Sequence, residues 1–436
     1  MELARLLFWV TMVIGIFTMG GVYAKNGMYP YRLFEEGYRS TVMLIKEIFQ
    51  TRPDMLRKQK YAGDGVTRYD PGLAYEGLTL MQGMYHEGVE LRLVDMTGNV
   101  IHRWPADFFA IWPRPEHVIP EKNLPNSYLH YHTMGMSALP DGSVLINFSE
   151  KGTAKLDKCG NVQWTVDRMT HHAITPNPDG SYWIPVKGDV RELPDSLLLP
   201  GLSHESLMDS LGWYEDRLIR VDAGGHTTNE ISVLQALFDG GFEREFYDVS
   251  RIEALDPTHV NDIEVVTPDL AGKITGVNAG DLLISIRNMH MLAIMDRDTG
   301  HIKWHQIGPW VRQHDPDITS NGNIVVYNNG DAHLGLNRTP GSNLIELDTA
   351  TGQTSILYPR QDQAGFFTDI MGSHQLLPNG NRLITESMAG RVFEIDEQGN
   401  IVWEYIKPYD DSYASIIETA IRYDKDYFTV NDWSCH

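Results

Sequence analysis

Residues 379–403 read NGNRLITESMAGRVFEIDEQGNIVW. An Asn-Gly turn leads into an alternating strand, Arg382–Glu386. A second strand ends on Ile395-Asp396, the chain turns at Gly399-Asn400, and a third strand closes on Trp403. Period-two alternation between Gly, Asn and Asp turns is the signal of β-hairpins. The unit recurs along the chain. Asp141-Gly142-Ser143 precedes VLINF, TAKLD and a strand ending at Trp164; Gly280-Asp281 precedes LLISI, MLAIMD and Trp304; Asn321-Gly322-Asn323 precedes IVVYN and NLIELD. Asp179-Gly180-Ser181 precedes YWIPV and, after an insertion at 188–215, RLIRVD, while a partial copy covers Val89–Trp104.

Six copies of a strand-turn-strand-turn-strand unit at a spacing of about 40–60 residues predict the blades of a propeller. A lone blade would expose both faces of its sheet, and stacking around an axis buries them. A solenoid or sandwich array is the competing architecture. The segment Ile416–Trp433 is expected to close the ring against the first copy. The fold class is therefore all-β, a six-bladed β-propeller over 70–436, with residues 1–60 as a separate N-terminal segment.

That segment differs in charge. Residues 1–60 carry a net +4, whereas the whole chain carries −22. So acidic a body argues against nucleic-acid binding, which needs a basic footprint. Leu6–Ala24 is a 19-residue run without a charge, about 28 Å as a helix and so about one hydrocarbon core. It predicts a transmembrane anchor, with a cleaved signal peptide ending near Val22-Tyr23-Ala24 as the alternative. Residues 31–50 show apolar three- and four-residue steps and are expected to form an amphipathic helix, juxtamembrane or packed on the body. A single-pass anchor places the propeller on the periplasmic side of the inner membrane; cleavage would release it into the periplasm. The helical head could also dock a membrane partner or a second copy of the chain. Cys159 and Cys435 are the two cysteines; they could pair, but two cysteines alone do not establish it.

In a propeller the strand before each Asp/Asn-Gly turn lines the axis. Counting back from those turns brings His132, His172, His314 and His374 toward the channel, and His259 precedes the fourth repeat. Arg287, read as lying mid-strand within the apolar run LLISI, must find a partner, either a carboxylate or an oxyanion held by its guanidinium fork. Asp315 and Asp317 read as turn caps. No set with a metal-ligand spacing is predicted, and no cofactor.

The motifs Thr258-His259-Val260-Asn261-Asp262, Ser285-Ile286-Arg287-Asn288, Gln313-His314-Asp315-Pro316-Asp317 and Tyr327-Asn328-Asn329-Gly330, with Thr170-His171-His172, resemble the bacterial arylsulfate sulfotransferases. The resemblance runs from about residue 75. It implies a six-bladed propeller and a ping-pong, PAPS-independent transfer of a sulfuryl group from an aryl sulfate to a phenol. It implies His314 as the transiently sulfated histidine, Arg287 and His259 as ligands of the sulfuryl oxygens, and His172 or His171 as the third-blade histidine. His172 or His374 could protonate the departing phenolate, with Asn288 and His132 as further substrate contacts. Ala173 stands where the family tends to carry an acid after the paired histidines, and Asn328 where it tends to carry Asp. Two other readings compete: a metal-binding propeller, in which the histidines and Asp315 or Asp317 hold a divalent ion, and a non-catalytic module of a membrane-associated assembly. No Gly-rich phosphate loop or Gly-x-Ser-x-Gly elbow is present, so nucleotide-dependent transfer and serine hydrolysis are poorly supported.

Overall fold

Six aspartates each follow the third strand of a repeat and fold a carboxylate back onto the next turn. Asp95 accepts from the N–H groups of Thr97 and Asn99, Asp157 from Cys159 and Asn161, and Asp222 from Gly224 and His226. Asp296 accepts from Asp298 and Thr299, Asp348 from Ala350 and Thr351, and Asp396 from Asn400. This Asx turn reverses the chain between third and fourth strands. It is the physical reason the apolar-x-Asp signature recurs. The turn between first and second strands needs a left-handed residue, supplied in the sixth repeat by Gly380 at φ +92°.

The computed structural model describes residues 2–25, 52–53, 55–125, 127–250, 253, 255–330 and 341–435. The chain divides into two units, Met1–Asp54 and Met55–His436. The second holds six antiparallel sheets, one per repeat. In chain order their innermost strands are Thr133–Ala138 in blade 2, Thr175–Pro176 in blade 3, Val260–Val265 in blade 4, His314–Ile318 in blade 5 and Ser373–Leu376 in blade 6. Blade 1 takes its innermost strand, Ile416–Asp424, from the C-terminal end of the chain, paired with Gly77–Tyr85. Blade 6 gains a fifth, outermost strand, Gly65–Tyr69, paired with Ile401–Ile406. The ring is thus closed from both ends, and the C-terminal closure is the one expected. A Cys159–Cys435 disulfide ties the tail beyond the closing strand to blade 2.

The second and third strands of each blade carry the apolar core. Val144–Phe148, Leu282–Ile286, Met291–Met295 and Arg391–Ile395 are buried at every position. Strands buried on both faces need not alternate, which fits blades stacked on two neighbours. The 188–215 insertion joins the second and third strands of blade 3 and packs Leu197, Leu207 and Tyr214 into the core cluster shared with blade 4. A second insertion holds two helices, Val233–Asp239 and Glu243–Ser250, which bury Val233, Leu234, Leu237 and Phe246 in that cluster.

In the first unit a helix runs from Glu2 to Lys25. Among the described residues no helix is long and apolar enough to cross a membrane. The helix expected over this N-terminal run is present. The amphipathic helix expected at 31–50 lies outside the described residues.

Candidate active site

Three histidines stand where the chain enters the innermost strands of adjacent blades. His172 precedes Thr175–Pro176, His259 precedes Val260–Val265, and His314 begins His314–Ile318. Their rings converge: the centroids of His172 and His259 are 4.9 Å apart and those of His172 and His314 6.5 Å. His172 and His259 have left-handed backbones, with φ of +52° and +50°. Such conformations cost of order 1–3 kcal/mol each for a residue with a Cβ and cluster at functional sites. Asn147 Nδ2 donates to the His172 carbonyl at 3.0 Å, and the Arg287 N–H donates to the His259 carbonyl at 3.2 Å.

Each ring is oriented from behind. His314 Nδ1 lies 2.6 Å from Asn329 Oδ1 and 3.1 Å from the Arg312 carbonyl. Asn329 Nδ2 donates to the carbonyls of Thr368 and Met371, which fixes Oδ1 as the atom facing the ring. Both partners of Nδ1 accept, so Nδ1 carries the proton and Nε2 keeps its lone pair. Burial, then Arg287, lowers the His314 pKa to about 3, so the ring is neutral at physiological pH. Gln313, fully buried, donates to Ser285 and to the Met291 carbonyl and anchors the entry to the strand.

His171 and His172 face each other through Nδ1 atoms 2.9 Å apart, and His171 Nε2 lies 3.1 Å from Asp216 Oδ1. His259 Nδ1 meets Asp256 Oδ2 at 2.5 Å. Lys187 joins the two arms, with Nζ 2.7 Å from both Asp216 and Asp256. Burial alone would lower the Lys187 ammonium, but Asp216 and then Asp256 outweigh it and raise it. Burial alone would raise the Asp216 carboxyl, but Lys187 and then His171 hold it well below its ordinary range. Asp216 also accepts from Thr258 Oγ1 and the Val260 N–H. It thus supports His171 from across the sheet, whereas the neighbour of the paired histidines is Ala173.

Arg287 sits one residue past the end of Leu282–Ile286. This corrects the mid-strand position: the residue follows the strand instead of lying within it. Its Nη1 donates to Asn288 Oδ1 at 2.8 Å, and Asn288 Nδ2 is spent on the Asp256 carbonyl. Its Nε is buried without a hydrogen-bond partner. Among the described residues no carboxylate pairs with Arg287 within ion-pair distance. Burial, then Arg312, lowers its pKa to about 10, so it remains a cation beside the neutral His314. The site is a cup in which the Arg287 cation stands beside a neutral His314 whose Nε2 keeps its lone pair.

The remaining expected residues fall elsewhere. His374 lies further along the channel, with Nδ1 3.1 Å from Asp317 Oδ2, and lines the same cavity as His172 and His314, of about 430 Å³. His132 precedes the inner strand of blade 2 and is absent from that lining; burial lowers its pKa to about 4. Asp315 and Asp317 do not cap a turn. They belong to the strand His314–Ile318, whose register against Ile324–Asn328 is broken by a bulge, and both line the cavity. Asp216, Lys187 and Asp256 were not singled out from the sequence, and Asn329 stood there only within the motif Tyr327-Asn328-Asn329-Gly330, with no role of its own. A lysine closing the apolar YWIPVK strand, directly opposite Asp216 in register, is the signal that was available.

A profile of the arylsulfotransferase (ASST) family matches residues 135–408. The chain belongs to the arylsulfotransferase family. The matched span contains every residue of this arylsulfotransferase cup, from His171 to Asn329. No curated protein matches the chain. Among solved structures it is similar to a protein of unknown function from Bacteroides caccae, at 12% identity over 78% of this chain and 99% of that one, TM-score 0.47. It is also similar to hydrazine synthase of Kuenenia stuttgartiensis, at 13% identity over 71% of each chain, TM-score 0.41. A third similarity is to virginiamycin B lyase of Staphylococcus aureus, at 11% identity over 64% of this chain and 72% of that one, TM-score 0.37.

Proposed function

We propose that the chain is a sulfotransferase that moves a sulfuryl group from an aryl sulfate to a phenol through a sulfated His314. The observation that carries this reading is the pinned tautomer of His314, a neutral ring with its Nε2 lone pair free beside an arginine that, among the described residues, has no carboxylate within ion-pair distance. Sulfuryl transfer, like phosphoryl transfer, has little covalent chemistry for the protein to perform beyond positioning and charge stabilisation.

In the first half-reaction the Nε2 lone pair forms a bond to sulfur while the S–O(aryl) bond breaks, and that electron pair leaves on the phenolate oxygen. Arg287 and His259 offset the charge on the sulfuryl oxygens, and Asn329 Oδ1 and the Arg312 carbonyl share the positive charge that develops on the ring. In the second, the acceptor phenolate attacks sulfur, the N–S bond breaks, and Nε2 recovers its pair. His172 is the proton carrier. Burial, then His259 and His171, holds its pKa well below the ordinary value. The negative charge of an entering sulfate ester opposes those influences and draws a proton onto the ring. That proton goes to the departing phenolate, and the neutral ring then accepts the proton of the acceptor phenol.

Initial rates with 4-nitrophenyl sulfate and a second phenol test the proposal. Parallel double-reciprocal lines, lost with His314→Ala, are the expected result; intersecting lines, or activity surviving in that variant, would reject the sulfohistidine.

We further propose that the propeller works outside the cytoplasm, in the periplasm, held at the membrane by Glu2–Lys25. The Cys159–Cys435 disulfide supports an oxidising compartment. Fractionation of cells producing the full chain tests this; recovery of reduced protein from the cytosol would reject it.

A further inference from the structure

The cavity below the cup is lined by the carboxylates of Asp262, Glu264, Asp315, Asp317 and Glu418, and by no lysine or arginine. Arg382 approaches Asp317 from outside that lining, on the second strand of blade 6. Five acidic side chains thus crowd one cavity whose described lining holds no lysine or arginine to pair with them. We propose that the cavity is a divalent cation site in which Asp315, Asp317 and His374 supply the protein ligands.

Two independent features carry the assignment. One ligand atom from each of the three residues lies within 4.8 Å of the others, a span that bonds of about 2.1 Å to one ion nearly close. The second feature is the ring of His374, which is 5% exposed. Its Nε2 faces the Val325 carbonyl at 3.4 Å. A carbonyl can only accept, so the ring N–H is spent there, as metal-ligating histidines spend theirs. Nδ1 is then left buried without a hydrogen-bond partner, although Asp317 Oδ2 is 3.1 Å away. The contact is within ion-pair distance but lacks hydrogen-bond geometry, and a cation shared by both atoms would turn it into two bonds. Asn261 Oδ1 and Glu418 Oε1 are two further buried oxygens on the same cavity without partners.

One imidazole nitrogen with two carboxylates suits a first-row ion such as Mn²⁺ or Zn²⁺ better than Mg²⁺ or Ca²⁺. Three protein ligands leave positions open to solvent or to an acceptor oxygen. Such an ion offsets the carboxylates beneath the cup, so its removal should raise KM for an anionic donor more than it lowers kcat.

The test uses the full chain purified without chelator and then stripped. Mn²⁺ and Zn²⁺ are titrated into wild type, Asp317→Asn and His374→Gln by calorimetry, with circular dichroism confirming the fold of each. The expected result is one equivalent bound by wild type and affinity at least about tenfold weaker in both variants. No saturable binding of either ion up to millimolar concentration, or binding equal in wild type and both folded variants, would overturn the site. The measurement needs no substrate, so its failure leaves the sulfohistidine reading standing, and a failure of that reading leaves the metal site standing.

Discussion

Asn329 Oδ1 lies 2.6 Å from Nδ1 of His314, and this contact decides which nitrogen of the ring is free to react. Asn329 is itself held by two backbone carbonyls, so the amide cannot turn to offer its donor instead. Replacing Asn329 by Ala is expected to lower kcat about 100-fold or more, the scale on which a positioned imidazole contributes, with little change in KM. Asn329→Asp keeps an acceptor opposite Nδ1 and should recover part of that loss. Its charge should also raise the His314 pKa and bring an acidic limb into the rate profile. Equal rates in the two variants would contradict the tautomer argument.

Anion binding should take up protons. His172 is held neutral by burial, His259 and His171, and a bound sulfate monoester raises its pKa back toward the ordinary value. Binding should therefore strengthen as pH falls from about 8 toward 5. Calorimetry with an unreactive aryl sulfonate, in two buffers of different ionisation enthalpy, reads the proton stoichiometry directly. His314 does not supply this proton, since its pKa of about 3 keeps it neutral throughout the range.

Lys187 bridges two buried carboxylates, Asp216 and Asp256. Lys187→Met leaves both without their main counter-charge, and breaking buried pairs of this kind typically costs about 3–5 kcal/mol. Urea unfolding should show that loss. Because Asp216 and Asp256 orient His171 and His259, the folded fraction should also lose activity. A stability loss with full specific activity would confine Lys187 to a structural role.

The Cys159–Cys435 bond fastens the tail to blade 2, where Thr429 also donates to the Pro140 carbonyl and Lys158 to Asp432 and Ser434. Removing it with Cys435→Ser is expected to cost about 2–5 kcal/mol and to leave the rate of transfer unchanged. Thermal unfolding with and without reductant measures the first, and turnover below the transition the second.

The blades were legible because their grammar is local: alternation, an aspartate that folds onto its own turn, and a left-handed glycine all fall within a few residues. His172 and His314 were legible for the same reason, as their distance from a turn fixes their height on the inner strand, whereas an insertion separates His259 from Gly280 and only its place before the fourth repeat marked it. His132 fits the same count but stays off the cavity, since sequence distance gives height along a strand without giving the direction of a side chain. Asp315 and Asp317 flank Pro316 and so resemble a turn; the bulge against Ile324–Asn328 keeps them in the strand and turns them into the channel. The helices at Val233–Asp239 and Glu243–Ser250 were passed over because they interrupt the repeat instead of extending it. The supports of the cup, from Asn329 to Lys187, join residues far apart in the chain. No periodicity announces such contacts.

The central claim is that His314 carries the sulfuryl group between the two half-reactions. Mass spectrometry of the peptide spanning 313–317, after incubation with 4-nitrophenyl sulfate in the absence of acceptor, tests it most directly. The account predicts a sulfo adduct on His314 that disappears when a phenol is added. Turnover of the ester by folded protein with that peptide unmodified, or an adduct on another residue, would contradict it.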